Sequence, residues 1–203
     1  MNEAETVPVR QPVTKIAYCG AAGAYAQLAA AKLFPGAAYR GFPSFEAAYH
    51  AVETGLCAAA VLPLENSSAG AVEAVLTLLK IGPLRVRHTM WFPIRHCLLV
   101  NPGTALADIR CVSSHAQALR QCAAFLRTLN AVAREAPSTS EAASALRRSG
   151  SRTEAAIASA ETAALLGLDI LRRDIQDAAD NATLFAVFTR ADTGPSQEVD
   201  RPW

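Results

Sequence analysis

The chain has 203 residues, enough for one large domain or for two small lobes that each bury a core. Its formal net charge of +1 and its charged fraction of 18% indicate neither a nucleic-acid-binding surface nor a polybasic membrane patch. No apolar run approaches the roughly 18 residues of a membrane span, and residues 1–15 contain no apolar signal segment. We therefore expect a soluble cytoplasmic protein that binds a small molecule, with no nucleic-acid or membrane partner.

The first half of the chain alternates between apolar strand patterns and helix patterns. Strands are predicted over residues 15–20, 57–64, 84–92 and 94–100. Helices are predicted over residues 26–34, 44–55 and 70–82. Pro35 and Gly36 stop the first helix, whereas Ser44 caps the second and Gly55 closes it.

The same alternation continues through the second half. Strands are predicted over residues 108–114, 131–135, 154–159, 169–175 and 183–190. Helices are predicted over residues 116–129, 138–149 and 160–167. Strands alternating with helices of this length predict an α/β fold with parallel sheets, in which ligands bind at the carboxyl ends of strands.

The cysteines and histidines show no metal-ligand spacing. The five cysteines are scattered and form no CxxC pair, so we interpret them as buried small hydrophobic residues, although one of them as a reactive thiol remains an alternative. The four histidines form no HExxH or HxH pattern. We expect neither a disulfide framework nor a zinc site.

Two polar clusters follow predicted strands in the first half. The stretch "GAAGAY", residues 20–25, is compatible with an anion site at a helix N-terminus or with a simple tight turn. In "PLENSSAG", residues 63–70, the consecutive polar residues are Glu65, Asn66, Ser67 and Ser68. A helix cap needs only one such side chain. The second cluster therefore favours a ligand site.

Two more clusters lie in the second half. In "SSHAQALRQC", residues 113–122, Ser114, His115 and Gln117 lead a helix, either as a cap beside a solvated histidine or as ligand contacts. In "PSTSEAA", residues 137–143, Ser138 or Thr139 forms a capping box with Glu141, and ligand binding is the alternative.

The last of the strand patterns contains "NATLF", residues 181–185, in which Thr183 precedes two apolar residues. Together with "PLENSSAG", "HCLLV", "SSHAQALRQC", "PSTSEAA" and "AAIAS", in this order, it resembles the prephenate dehydratase family over about residues 15–190. The resemblance implies a two-lobed α/β fold of the periplasmic-binding-protein-like type II class, with a cleft between the lobes. The implied organisation is a disordered N-terminus at 1–14, one lobe from 15–92 plus 176–190, a second lobe at 93–175, and a disordered tail at 191–203.

The resemblance also implies a carbon–oxygen lyase that converts prephenate, or a closely related cyclohexadienyl acid, by decarboxylative dehydration. Thr183 would assist departure of the ring hydroxyl, within a polarised network that includes Glu65. No metal or organic cofactor is required, because aromatisation of the ring drives the reaction. The implied contacts to the ring carboxylic acid are Asn66, Ser67, Ser114, His115, Gln117, Ser138, Thr139, Asn181, Leu184 and Phe185.

This chain departs from the family pattern at several positions. Leu184 replaces the arginine of the family's Thr-Arg-Phe motif, and Ala24 and Ala26 replace hydroxyl residues of its Gly-Thr-Phe-Ser motif. Two alternatives therefore stay open: a diverged enzyme of a specialised pathway that decarboxylates or isomerises a related ring acid, and a non-catalytic binding protein for a small acid. We further expect a homodimer, and no ACT domain with its phenylalanine site.

Overall fold

The structure, a computed structural model, describes residues 14–191. The two predicted disordered tails lie outside this range, apart from Thr14 and Ala191. The strands are β1 (Lys15–Cys19), β2 (Ala38–Phe42), β3 (Ala59–Asn66), β4 (Gly70–Ala71), β5 (Arg85–Pro93), β6 (Cys97–Val100), β7 (Cys111–Ser114), β8 (Val132–Glu135), β9 (Glu154–Ala158), β10 (Asp169–Arg172) and β11 (Ala182–Thr189). The helices are α1 (Tyr25–Leu33), α2 (Phe45–Glu53), α3 (Glu73–Ile81), α4 (Ala116–Gln121), α5 (Ala123–Leu126), α6 (Thr139–Ser149) and α7 (Ala160–Leu166), with a 3-10 turn at Leu106–Asp108.

The strands form two separate sheets. The first has the order β2-β1-β3-β11-β5, with β4 paired to β3, and the second has the order β10-β6-β9-β7-β8. The chain crosses from the first sheet to the second once between β5 and β6, and it returns once between β10 and β11. This confirms the predicted two-lobed α/β fold. The exact lobe boundaries at 92/93 and 175/176 stay predictions.

The expectation of parallel sheets holds only in part. Strand β11 runs antiparallel to both β3 and β5, and β6 runs antiparallel to β9 and β10. Strands β6 and β11 each follow directly after a crossing between the sheets. At these points the chain enters the sheet from the other lobe. No helix returns it in the direction of the preceding strand, as a parallel connection requires. Parallel pairing is kept where a helix connects neighbouring strands, as for β1 with β2 and for β7 with β8.

Both faces of the first sheet are covered. One face carries a cluster that includes Leu184, Ala186 and Phe188, packed with residues of α2 and α3. The other face carries Phe185 and Val187, packed with α1. Successive residues of β11 therefore point to opposite faces, and both faces are apolar along most of the strand.

Short-range signals predicted several helix ends, but the predicted helix 70–82 begins only at Glu73, after the short strand β4. The Ser44 hydroxyl accepts a hydrogen bond from the backbone N–H of Ala47 and caps α2. Of the two candidate caps before α6, Ser138 is the one that accepts from the N–H of Glu141. The predicted helix 116–129 is interrupted at Cys122, which separates α4 from α5. Strand β2 was not predicted, because its five residues, AYRGF, show neither a continuous apolar run nor a strict alternation of apolar and polar residues.

The two lobes touch directly near the first turn of the chain. The Thr162 hydroxyl, at the start of α7, donates to the carbonyl oxygen of Gly23 over 2.9 Å. Gly23 has φ +87°, and a Cβ at this position would lie 2.7 Å from Thr162 Oγ1. A residue without a side chain is therefore required for this approach.

The interpretation of the cysteines as buried residues holds for most of them. Cys57, Cys97, Cys111 and Cys122 are buried, and Cys19 is partly buried. Burial raises the pKa of the Cys19 thiol to about 11 and that of Cys122 to about 12. Within residues 14–191, no helix is long and apolar enough to cross a membrane, and no three potential metal ligands cluster.

Candidate functional site

The end of β3 and the start of β11 form the polar centre of the molecule. The register pairs Asn66 with Thr183, so both side chains lie on the same face of the sheet. Three acceptors surround Asn66 Nδ2, which has two protons to donate: Asn181 Oδ1 at 2.9 Å, the carbonyl oxygen of Ala182 at 2.9 Å and Thr183 Oγ1 at 3.0 Å. Asn66, Asn181 and Thr183 are all buried.

The orientation of the Asn66 amide is fixed by the backbone around it. Its Oδ1 accepts from the N–H groups of Ser68 at 3.1 Å and Ala69 at 3.0 Å. A flipped amide would place a donor against these donors, so Nδ2 must point toward β11. Ser67 adds a second connection, because its hydroxyl accepts from the N–H of Ala182 at 3.0 Å.

This arrangement leaves one buried donor without a partner. Because Asn181 Oδ1 faces Asn66 Nδ2, the Asn181 amide cannot be flipped either, and its Nδ2 finds no acceptor among residues 14–191. A buried unsatisfied donor of this kind costs about 1–3 kcal/mol. Nδ2 has almost no exposed surface in this structure, so a ligand oxygen would remove that cost only after the Asn181 side chain or its neighbours shift.

A cavity of about 460 Å³ opens beside this centre and between the elements of the two lobes. Asn181, Gln117, Gln121 and Arg120 are among its lining residues. Asp177 also lines it, with its carboxylate accepting from the backbone N–H of Ala124. The amide donors and the guanidinium around a space of this volume suit a small carboxylic acid.

A chain of hydrogen bonds connects the polar centre to the crossing segment before β6. Gln121 Nε2 donates to Asn66 Oδ1 at 3.1 Å, and Gln121 Oε1 lies 3.1 Å from His96 Nε2. Since an amide oxygen can only accept, His96 Nε2 is the protonated nitrogen. His96 Nδ1 lies 3.2 Å from the Tyr25 hydroxyl, which donates to the carbonyl oxygen of Arg95.

Burial decides the ionisation of His96 and Tyr25, the two titratable groups in this series of hydrogen bonds. It lowers the pKa of His96 below the usual value, and the hydrogen bond with Gln121 offsets this only in part. Burial also raises the pKa of Tyr25 well above its usual value. His96 and Tyr25 are therefore both neutral near pH 7.

The structure brings together part of the set predicted from the sequence. Asn66, Ser67, Asn181 and Thr183 are joined by hydrogen bonds, and Gln117 lines the neighbouring cavity together with Asn181.

The second-lobe serines and His115 have other contacts. The buried Ser114 hydroxyl donates to the carbonyl oxygen of Ile157, and the His115 side chain accepts from the N–H of Gln117 as the cap of α4. Ser138 caps α6, and Thr139 is the first residue of that helix. These hydrogen bonds stabilise a strand and two helix N-termini, and none of them involves Asn66 or Thr183.

Leu184 and Glu65 of the predicted set lie away from the Thr183 hydroxyl, whereas Phe185 lies on the same face of β11 as Thr183. Leu184 pairs across the sheet with Glu65, so both project from the face opposite to Thr183. Leu184 packs in the apolar cluster, and the Glu65 carboxylate has no side-chain hydrogen bond within residues 14–191. Phe185 is also buried, with its ring edge-on to Phe92. The geometry therefore gives the contact with Thr183 to Asn66 and not to Glu65.

Sequence reasoning missed Tyr25, His96 and Gln121. His96 lies in a motif that was interpreted as a continuous strand, whereas β6 begins only at Cys97 and residue 96 belongs to the crossing. Gln121 follows Gln117 by four residues, which places both on one side of α4. That spacing was the available signal for Gln121.

Comparisons with known proteins agree on one family. Residues 16–193 match the family model described as prephenate dehydratase. The Arabidopsis thaliana protein named arogenate dehydratase/prephenate dehydratase 1, chloroplastic, is 40% identical over 189 residues, which cover 93% of this chain and 48% of that protein. This chain thus spans about half the length of such curated relatives.

Solved structures give the same result for the fold. Prephenate dehydratase from Arthrobacter aurescens, in complex with L-Phe, superposes with a TM-score of 0.84 at 29% identity, covering 91% of this chain and 63% of that one. GqqA, described as a novel type of quorum quenching acylase, superposes with a TM-score of 0.80 at 34% identity, covering 91% and 66%.

One expectation is overturned by these comparisons. Several of the Arabidopsis thaliana relatives are chloroplastic by name. This contradicts the expectation of a cytoplasmic protein that was drawn from the absence of an apolar signal segment, since a sequence feature of that kind tests only for secretion.

Proposed function

The chain belongs to the prephenate dehydratase family, and we propose that it removes carbon dioxide and water from prephenate or from a closely related cyclohexadienyl acid such as arogenate. The bond between the ring and its carboxylate breaks and leaves its electron pair in the ring. The bond from the ring to the hydroxyl oxygen breaks at the opposite end, and a proton from solvent, passed on through the Thr183 hydroxyl, converts the departing hydroxide into water. From prephenate the products are phenylpyruvate, carbon dioxide and water.

The hydrogen bond from Asn66 to Thr183 is the observation that supports this proposal most directly. Thr183 Oγ1 accepts a hydrogen bond from Asn66 Nδ2, which leaves its own O–H free to donate to a leaving hydroxyl. Accepting one hydrogen bond also polarises the O–H for donation. General-acid assistance of this kind contributes about 10²–10⁴ in rate.

The substrate carboxylate is assigned to the unsatisfied donor of the site. Asn181 Nδ2 is buried without an acceptor, and Arg120 and Gln117 line the same cavity. A shift that exposes Nδ2 would let a carboxylate oxygen satisfy the amide, and the guanidinium would supply the opposite charge. Glu65 remains a predicted catalytic residue whose side chain faces away from Thr183.

The proposal is tested by mixing the purified chain with prephenate and, separately, with arogenate, and by following the aromatic product. The Thr183→Val variant, purified in parallel, controls for a contaminating dehydratase. Release of carbon dioxide with retention of the ring oxygen would indicate a decarboxylase instead. Thermal stabilisation by either acid without any product would indicate a binding protein.

One finer expectation is tested with the same preparation. We expect a homodimer, and sedimentation velocity measures the oligomeric state. Because one solved relative is described as a quorum quenching acylase, hydrolysis of an acylated signal molecule is measured as an additional substrate arm.

A further inference from the structure

We infer that Gln121 is a positioning residue that sets the hydrogen bonding of Thr183 through Asn66 and so connects the second lobe to the reacting end of the site. This inference rests on the proposed function. Gln121 is the last residue of α4, which packs in the second lobe, whereas Asn66 and Thr183 belong to the first sheet.

The number of protons and acceptors around Asn66 makes Gln121 necessary. Asn66 Nδ2 has two protons, but three acceptors lie within 3.0 Å of it: Asn181 Oδ1, the carbonyl oxygen of Ala182 and Thr183 Oγ1. One of the three must go without a full hydrogen bond. Thr183 competes for a proton with a backbone carbonyl and an amide oxygen.

Gln121 relieves this competition. Its Nε2 also has two protons, and it lies 3.1 Å from Asn66 Oδ1 and 3.5 Å from Asn181 Oδ1. By donating to Asn181 Oδ1, Gln121 satisfies one of the three competing acceptors. The two protons of Asn66 Nδ2 are then available for Ala182 and Thr183.

Gln121 is itself held by both segments that cross between the lobes. Its Oε1 accepts from His96 Nε2 in the first crossing, and its backbone carbonyl accepts from the N–H of Asp177 in the second over 2.7 Å. A relative movement of the lobes that shifts α4 would therefore move Nε2 away from the two asparagines. The Thr183 hydroxyl is oriented for donation only when the lobes are in the arrangement described here.

The test is a double-mutant cycle in the full chain. Gln121→Met keeps the length of the side chain and removes both donors, and we expect kcat to fall about tenfold with KM changed by less than about twofold. In the Thr183→Val background the same substitution should lower kcat by less than about twofold, because its effect passes through the missing hydroxyl. Gln121→Leu provides a second variant, which removes both donors without adding a charge to the cavity, and kcat should fall by a similar factor.

Gln176→Met is the matched control. The Gln176 side chain accepts from the backbone N–H of His96, so this variant also removes a hydrogen bond at the first crossing, but one without a link to Asn66. Its effect on kcat should multiply with that of Thr183→Val. Two results would overturn the inference while the proposed function stands. One is that the effects of Gln121→Met and Thr183→Val on kcat also multiply. The other is that Gln121→Met raises KM and leaves kcat unchanged. An inactive parent chain would overturn the proposed function, and this inference with it.

Discussion

Asn66 Nδ2 lies 3.0 Å from Thr183 Oγ1 and joins two residues that are 117 positions apart in the chain. The contact exists because β11 returns from the second lobe and pairs antiparallel with β3, which places the end of one strand beside the start of the other. The polar centre is therefore assembled at the point where the chain re-enters the first sheet.

Thr183→Val should lower kcat more than about tenfold while leaving the fold intact. Valine is nearly isosteric and suits a strand. Asn66 Nδ2 still has two acceptors for its two protons, Asn181 Oδ1 and the carbonyl oxygen of Ala182, so no donor is orphaned. Thr189→Val, on the same strand but bonded to Arg87, is the control and should retain parental turnover. Equal turnover of the two variants would remove Thr183 from the mechanism.

Leu184→Arg should not improve the binding of prephenate, because the introduced side chain projects from the face opposite to Thr183. On that face the direct cross-strand neighbour is Glu65. The guanidinium should pair with this carboxylate, and a double-mutant cycle with Glu65→Gln should give a favourable coupling of about 0.5–1 kcal/mol in the free energy of unfolding.

Leu184→Met serves as the control for that cycle and should show no coupling with Glu65→Gln. Denaturant unfolding gives the coupling, and isothermal titration with prephenate gives the affinity. A zero coupling for arginine combined with tighter prephenate binding would show that position 184 reaches the substrate after all.

The stability of the chain should fall as the pH is lowered below about 6.5, the usual pKa of histidine, partly because of His96. Burial lowers the pKa of folded His96, so in this range the unfolded chain binds a proton that the folded chain does not. The loss continues until the pH passes the folded-state pKa, and above about pH 6.5 it vanishes. His96→Gln should flatten the dependence between pH 5 and 8, as measured by urea unfolding. Identical slopes for parent and variant would contradict the assignment.

Gly23→Ala should destabilise the contact between the lobes. At φ +87° an alanine is strained, and its Cβ would lie 2.7 Å from Thr162 Oγ1. Gly36→Ala is the matched control, with φ +81° and no atom within 4 Å of the added Cβ, so that it reports the backbone strain alone. The first variant should lose at least about 1 kcal/mol more than the second in free energy of unfolding. Equal losses would show that the Thr162 contact yields without cost.

Local sequence patterns correctly predicted the structural features that depend on residues close together in the chain. The caps at Ser44 and Ser138 depend on residues within one helical turn, and both are confirmed. The position of β3 followed from a continuous apolar run, which is typical of a strand buried on both faces.

Features that depend on distant pairing were not accessible from local patterns. The direction of β11 is decided by the second crossing, and alternation of apolar residues is the same for either direction. The separation of Leu184 from Thr183 follows from the register with Glu65 and Asn66. His96 gave no signal because its two ring partners, Tyr25 and Gln121, lie 71 and 25 residues away.

The inaccessibility of the native thiols makes this chain suitable for distance measurements between the lobes. Four of the five cysteines are buried, and the pKa of about 11 at the partly exposed Cys19 keeps that thiol protonated and slow to alkylate near neutral pH. One cysteine introduced on the exposed part of each lobe could therefore be coupled to a fluorophore pair without replacing the native residues. Energy transfer between the dyes would then report lobe closure during turnover.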